Sequence, residues 1–134
     1  ALPISIKITE EEQKLSWNKN GYTFSPATDT HSLIDIGSKL DICVGGYDNS
    51  AVSKSCTIFK VEEGGKLVCC IELRPKIQFN QLLSRKDEYE VVESRFKIYQ
   101  AKCYSNSLPR GNLKSTILEW TKEYKIINAT SDLS

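Results

Sequence analysis

A Gly-Gly pair between two β-rich segments is the feature that most constrains this fold. Residues 55–63 and 66–73 are rich in β-branched, aromatic and cysteine side chains, and Gly64-Gly65 separates them. Glycine readily adopts the positive φ angles that a two-residue hairpin turn requires. We therefore predict an antiparallel hairpin in which Glu63 pairs with Lys66.

The register that this turn sets predicts which side chains share a face of the hairpin. The first face carries Cys56, Ile58, Leu67, Cys69, Ile71 and Leu73. The second face carries Phe59, Val61, Val68 and Cys70. Because both faces are largely apolar, we expect other elements to cover the hairpin on both sides.

Short motifs before the hairpin predict further elements. Thr9 and Glu12 have the spacing of a helix capping box, and we interpret the run of three glutamates there as a solvated helix start. Asn20-Gly21 predicts a turn that leads into an aromatic strand. The apolar runs at residues 33–36 and 40–44 predict two more strands.

After the hairpin, the sequence predicts one long strand and one helix. Pro75 cannot donate a hydrogen bond to a ladder, so we expect it to end the second hairpin strand. Residues 89–104 form the longest β-like run. Residues 113–127 have apolar side chains spaced by four and three, which predicts a helix, although they also fit one face of a strand. We expect residues 130–134 to form a frayed tail.

Together these elements predict a mainly β fold, antiparallel and sandwich-like, with a short N-terminal helix and a C-terminal helix. An α+β sheet is the alternative. The 134 residues fit one globular domain, spanning residues 1–134, that is large enough to bury a core. A hydrophobic content of 40% and a charged content of 26% are typical of globular proteins.

The charge balance argues against two classes of partner. The chain has 18 lysines and arginines against 17 aspartates and glutamates. A balance this even argues against binding nucleic acid or an anionic membrane through a broad basic surface. No apolar run approaches the roughly 18 residues that a membrane-spanning helix needs. We therefore expect a soluble protein whose partner is a protein or a glycan.

Cysteine usage bears on metals and on the cellular compartment. The five cysteines are Cys43, Cys56, Cys69, Cys70 and Cys103. They form no C-x-x-C pair and the chain has one histidine, which argues against a zinc site of the usual spacing, and no cofactor is expected. In an oxidising compartment, five cysteines predict two disulfides and one free thiol.

The start of the sequence favours secretion. It begins Ala1-Leu2-Pro3 and contains no methionine, which is typical of a mature product whose signal peptide has been removed. The sequon Asn128-Ala129-Thr130 predicts a glycosylation site. The alternative is a cytoplasmic protein whose cysteines are reduced and mostly buried.

One histidine limits the catalytic hypotheses. His31 is the candidate general base, and a secreted ribonuclease-like enzyme would combine it with strand residues such as Glu72 and Arg74. Glutamate and arginine on strands are more often partners across a sheet. The chain also lacks the motifs that mark serine hydrolases, P-loop proteins and zinc proteases. An enzyme is therefore the alternative interpretation.

Aromatic residues near turns indicate binding. Trp17 and Tyr22 flank the Asn20-Gly21 turn, and Tyr47 and Asn49 lie in a Gly-rich tip. Tryptophan and tyrosine are enriched at binding hot spots, and loops on a β scaffold often carry recognition. We predict a small secreted binding protein, of the effector, virulence or immune-modulator type, that recognises a host or cell-surface protein or glycan. An intracellular protein-interaction domain is a further alternative.

Overall fold

The computed structural model describes residues 2–42, 51–52, 54–81 and 89–134, with side chains described for all of these except 76–81 and 89–95. The strands are β1 (Trp17–Lys19), β2 (Tyr22–Pro26), β3 (Thr57–Glu63), β4 (Lys66–Gln81), β5 (Tyr89–Lys102) and β6 (Ile127–Asn128). The helices are α1 (Glu10–Gln13), α2 (Thr30–Leu40) and α3 (Gly111–Glu123). Two 3-10 turns span Tyr104–Asn106 and Ser131–Leu133.

Within the described residues, the six strands form one sheet in the order β1-β2-β3-β4-β5-β6. Strands β1 to β5 pair antiparallel, and β6 runs parallel to β5. This confirms the predicted fold class, a mainly β, largely antiparallel fold with a short N-terminal helix and a C-terminal helix. It takes the α+β form, because one sheet is packed between helices.

Both predicted turns are present. Asn20 and Gly21 have φ angles of 54° and 84°, and Gly64 and Gly65 have φ angles of 57° and 82°. Positive φ at both central residues is the geometry that suits the right-handed twist of a hairpin. The sequence therefore predicted the β1–β2 and β3–β4 connections correctly.

Helices cover both faces of the sheet, as the apolar hairpin predicted. On the α3 face, Trp120 packs against Phe24 and Phe59, with ring centroids 4.9 and 5.3 Å apart. The Trp120 indole N–H donates to the carbonyl of Leu15 at 2.8 Å, so this buried polar group is paired. On the α2 face, the buried side chains of α2 pack with Ile58 and neighbouring residues of the sheet.

A β-bulge corrects the predicted faces of the central hairpin. Glu63 pairs with Lys66 as predicted, but the register shifts between Val61 and Glu62, so that Phe59 faces Ile71 instead of Cys70. A shift of one residue moves every later side chain to the opposite face. Of the β4 residues beyond the bulge, Cys69, Ile71 and Leu73 consequently lie on the α3 face.

Helix α2 replaces a predicted strand. Residues 33–36 were predicted to be extended, but they lie inside α2, and residues 43–44 of the other predicted strand lie outside the described residues. Asp29 caps this helix by accepting the Ser32 N–H at 2.8 Å. Its buried residues Leu33, Ile36 and Leu40 have the spacing of one helix face. The β-branched isoleucines favoured a strand locally, and packing against β4 determined the helix.

Two further expectations were wrong and one was confirmed. Strand β4 continues through Pro75 to Gln81 because β3 ends opposite Leu73, and a proline is tolerated where its nitrogen faces an unpaired strand edge.

The predicted frayed tail is instead a 3-10 turn whose Leu133 is buried. The helix predicted within residues 113–127 is present as α3.

Candidate functional site

A pocket of about 260 Å³ opens between α1 and the start of β3. Among the described residues it is lined by Thr9, Glu11, Glu12, Lys54, Thr57, Pro75 and Phe96. The proline and the aromatic ring form an apolar wall, and the charged and hydroxyl groups lie on α1 and its N-cap, at Lys54 and at the first residue of β3. A mainly apolar pocket with a few convergent polar groups is the usual composition of a ligand site.

Glu12 is the most enclosed charged group of this pocket, with 2% of its side chain exposed. Its Oε1 accepts the Thr9 N–H at 2.9 Å, and its Oε2 accepts the Thr57 hydroxyl proton. The Lys54 ammonium contacts Oε1 and Oε2 at 2.9 Å each. The buried carboxylate is therefore neutralised and hydrogen-bonded, as burial of a charge requires.

Local sequence explains how these partners meet. The Thr9 hydroxyl accepts the Glu12 N–H at 3.2 Å, which completes the predicted capping box. The capping geometry turns the Glu12 side chain back toward the chain. Lys54 has a positive φ of 67°, which is uncommon for a residue other than glycine and brings its side chain toward α1. Thr57 is the first residue of β3.

This arrangement corrects one sequence-based interpretation. The three glutamates at residues 10–12 were expected to be a solvated helix start, and that holds for Glu10 and Glu11, which are exposed. Glu12 is buried instead, because Lys54 and Thr57 reach it from more than 40 residues away. The capping box was the signal for its inward orientation, but its distant partners have no signature in the sequence.

The predicted catalytic residues come together only in part. Glu72 is buried and accepts hydrogen bonds from Arg74 Nε and Gln100 Nε2, both at 2.8 Å. Arg74 also lies over the Tyr99 ring, with its guanidinium carbon 3.3 Å from the ring centroid. His31 is exposed on α2, in a shallow groove lined by residues 34, 35 and 38. The arrangement shows an ion pair between two residues of β4, with Gln100 of β5 as the cross-strand partner of Glu72. The catalytic role of these residues stays a prediction.

The predicted binding aromatics that the structure describes contribute to the core. Tyr22 is buried, with 7% of its surface exposed, and Trp17 is half-buried. The Trp17 ring meets the rings of Phe24 and Tyr124 at centroid distances of 5.8 and 6.1 Å. These contacts account for Trp17 as a packing residue. Tyr47 and Asn49 lie outside the described residues, so their binding role stays a prediction.

The four described cysteines, Cys56, Cys69, Cys70 and Cys103, are free thiols, and Cys43 lies outside the described residues. Burial raises the pKa of Cys56 to about 11 and that of Cys70 to about 12. Cys69 and Cys70 point to opposite faces of the sheet, as expected from their adjacency. The bulge places Cys56 on the face opposite Cys69, which corrects the expectation that they share a face. Disulfides and secretion stay predictions.

The remaining predicted site is Asn128. It lies in β6, its side chain is exposed, and its Oδ1 accepts the Thr130 N–H at 3.4 Å. An exposed asparagine is accessible to a modifying enzyme, but glycosylation itself stays a prediction.

The described part of the chain holds neither a metal-binding cluster nor a membrane-spanning helix. No cluster of three or more histidine, cysteine, aspartate or glutamate side chains in this part of the chain is arranged to hold a metal ion. None of its helices has the length and the apolar character that crossing a membrane requires.

The chain matches a known protein family over most of its length. The family model described as PcfJ-like protein matches residues 5–99, which is more than half of the chain. All the described residues that line the pocket fall within this segment, whereas α3 lies beyond it. No curated protein and no solved structure matches the chain.

Proposed function

The chain belongs to the PcfJ-like protein family, and we propose that it is a binding domain that accepts a basic side chain of a protein partner in the pocket beneath α1. This proposal rests on the pocket, in which Pro75 and Phe96 form an apolar wall and Glu11 and Glu12 provide carboxylates. The proposal keeps the binding function expected from the sequence and moves the contact from the loop aromatics to this pocket.

The charges that line the pocket favour a cationic group. Lys54 and Glu12 neutralise each other, and the carboxylate also accepts from Thr9 and Thr57. Glu11 is exposed and has no ion-pair partner among the described residues, so its carboxylate is the uncompensated charge of the lining. The Phe96 ring adds a surface that attracts cations.

The size and chemistry of the pocket suit one long side chain. A volume of about 260 Å³ accommodates a single lysine or arginine side chain rather than an extended glycan. The aliphatic part of such a side chain would pack against Pro75 and Phe96, while its charged end would approach Glu11. Long basic side chains commonly bury their stem on apolar surface and keep the charged end near polar groups.

The test is a titration of the protein with three capped single-residue peptides, N-acetyl-lysinamide, N-acetyl-glutamamide with a free side-chain carboxylate, and N-acetyl-leucinamide, monitored by backbone amide NMR. We expect saturable shifts at residues 9–13 and at Lys54 and Thr57 with the lysine peptide and weaker shifts with the others. Glu11→Gln should weaken lysine-peptide binding several-fold, on the order of 0.5–1 kcal/mol.

Glu10→Gln is the matched control. Glu10 lies in the same helical turn, is exposed, and contacts Lys14 at 3.8 Å away from the pocket lining. We expect this variant to bind like the unmodified protein. Absence of shifts at the pocket with all three peptides, or stronger binding of the glutamate peptide, would refute the proposal.

A further inference from the structure

Cys69 lies on β4 and Cys103 directly follows β5, away from the proposed binding pocket. The register pairs Cys70 with Lys102 and Ile71 with Ala101, so the next position places Cys69 opposite Cys103. Both cysteines belong to the apolar cluster on the α3 face of the sheet.

The backbone hydrogen bonds show which type of pair these cysteines form. The Ala101 N–H donates to Asp132 Oδ2 at 2.9 Å, and the Cys103 N–H donates to the Ser107 carbonyl at 2.7 Å. Both N–H groups therefore point away from β4, so Ala101 is a non-hydrogen-bonded site of the ladder and Cys103, one residue beyond the ladder, continues the same alternation. Opposite Cα atoms at such sites are about 4.5 Å apart, within the roughly 4.4–6.8 Å that a disulfide spans.

The two thiols also lie close enough to interact. Their interaction lowers the pKa of Cys103 and raises that of Cys69, and burial raises the pKa of Cys69 further. The Cys69 thiol donates to the carbonyl of Cys70, with the sulfur 3.8 Å from that oxygen.

Solvent exposure distinguishes the two cysteines. Cys69 is fully buried, whereas Cys103 is half-buried and lines a surface pocket of about 340 Å³. Lys39 and Lys66 line the same pocket, and Lys39 pairs with Asp35 at 3.0 Å. A partly exposed thiol is more accessible to a reactant than a buried one.

We propose that Cys69 and Cys103 form a redox-active dithiol, which a low-molecular-weight disulfide such as oxidised glutathione converts into an intramolecular disulfide. The Cys103 thiolate attacks one sulfur of the oxidant, forms a mixed disulfide and releases one thiolate, which takes up a proton. The Cys69 thiol then loses its proton, attacks the Cys103 sulfur and releases the second thiol. Two protein thiols are oxidised and one small disulfide is reduced to two thiols.

The first test uses the full reduced chain treated with oxidised glutathione, then alkylated and examined by intact mass and peptide mapping. We expect the protein to lose two alkylatable thiols, to retain no glutathione, and to contain one Cys69–Cys103 cross-link. Cys69→Ser should instead stop at the mixed disulfide on Cys103, and Cys103→Ser should form neither product at position 69.

Cys70→Ser and Cys56→Ser are the matched controls, because both residues are buried on the other face of the sheet. Each variant should form the Cys69–Cys103 cross-link as the unmodified protein does. A cross-link of Cys103 to any other cysteine, or equal oxidation of Cys69→Ser to an intramolecular disulfide, would overturn the proposal.

A second measurement needs no variant and therefore holds if Cys69→Ser does not fold. Brief alkylation of the native reduced protein should label Cys103 first, at a rate at least about tenfold above that of Cys56, Cys69 or Cys70. The labelling of Cys103 should also persist at a lower pH than that of an unstructured cysteine peptide. Slower labelling of Cys103 than of Cys56 or Cys70 would contradict its role as the attacking thiol.

Discussion

Glu12 and Asp132 anchor two peripheral segments to the sheet in similar ways. Each carboxylate accepts one backbone N–H, from Thr9 or from Ala101, and each contacts a lysine ammonium at 2.9 Å. They differ in enclosure, since 2% of the Glu12 side chain is exposed against 11% for Asp132. The same set of contacts should therefore contribute more to the free energy of unfolding at Glu12 than at Asp132. The more buried carboxylate has less water to replace its partners when they are removed.

The origin of the partners also differs between the two anchors. Lys102 follows Ala101 directly, so one stretch of β5 provides both contacts to Asp132. The contacts to Glu12 come from the neighbouring Thr9 and from residues 54 and 57, which lie more than 40 residues away and approach only when α1 packs beside β3. Both anchors depend on tertiary structure, but the Asp132 anchor draws on one distant stretch, whereas the Glu12 anchor combines a local cap with two distant residues.

The largest effect is expected from removing the Glu12 carboxylate. Glu12→Ala leaves the Lys54 ammonium partly buried without its counter-ion and leaves the Thr57 hydroxyl without its acceptor. We expect the free energy of unfolding to fall by about 3–5 kcal/mol. Urea unfolding measures it, with Glu10→Ala as the exposed control, for which a change below about 0.5 kcal/mol is expected. If Glu12→Ala and Glu10→Ala lowered the free energy of unfolding equally, the buried contacts of Glu12 would contribute nothing to stability.

Removing the cation of the same anchor should have an intermediate effect. In Lys54→Met, Glu12 keeps the Thr9 N–H and the Thr57 hydroxyl but loses its charged partner. We expect a loss of about 1–3 kcal/mol by urea unfolding. Lys60→Met is the matched control, since Lys60 is similarly exposed but lies 3.9 Å from its partner Glu62. If Lys60→Met lowered the free energy of unfolding as much as Lys54→Met, the contact between Lys54 and the buried Glu12 would not be the cause of the effect.

The smallest effect is expected at Asp132. Asp132→Asn can still accept the Ala101 N–H but loses the charge that Lys102 pairs with, and we expect a loss of about 0.5–1.5 kcal/mol at pH 7. Burial alone would raise the pKa of Asp132, but hydrogen bonds from Ala101 and Lys102, with the nearby Lys102 charge, outweigh it and lower the pKa below its usual range.

This direction of the pKa shift fixes the pH dependence of that loss. The stabilisation by the ionised carboxylate is present above the unfolded-state pKa of about 4 and disappears as the pH falls through the lower folded-state pKa. Urea unfolding at pH 7 and in strong acid should therefore show the two proteins converging at low pH. Asp35→Asn, at an exposed ion pair with Lys39, is the control. If the stability difference between the unmodified protein and Asp132→Asn were the same in strong acid as at pH 7, the charge of Asp132 would not be its cause.

Local chemistry made much of the fold predictable. The Gly64-Gly65 and Asn20-Gly21 turns, the capping box at Thr9 and the apolar face of α3 were all recognised, because each depends on neighbours a few residues away. The missed helix α2 had a comparable local signal in its Asp29 cap, but its isoleucines matched a strand equally well. Periodicity alone does not separate a short apolar helix from a strand.

The candidate site was far less predictable. Glu12 was assigned to solvent because no residue near it in sequence reveals that Lys54 and Thr57 will enclose it. Glu72 and Arg74 were identified for an enzymatic reason, but the structure brings them together as a pair beside Gln100 on the sheet. Contacts between distant residues cost chain entropy that only the packed core offsets, so sequence spacing does not show them.

The sequence by itself determined the hairpins, the two-sided burial of the central strands and the presence of a C-terminal helix. Tertiary structure decided which face each side chain occupies, since the bulge at Val61 and Glu62 reverses the faces and places Cys69 on the α3 face, where it meets Cys103. It also decided which carboxylates are buried. The physical reason is the same in both cases: turn and capping preferences act over a few residues, whereas a bulge or a buried charge is stable only when groups from several segments pack around it.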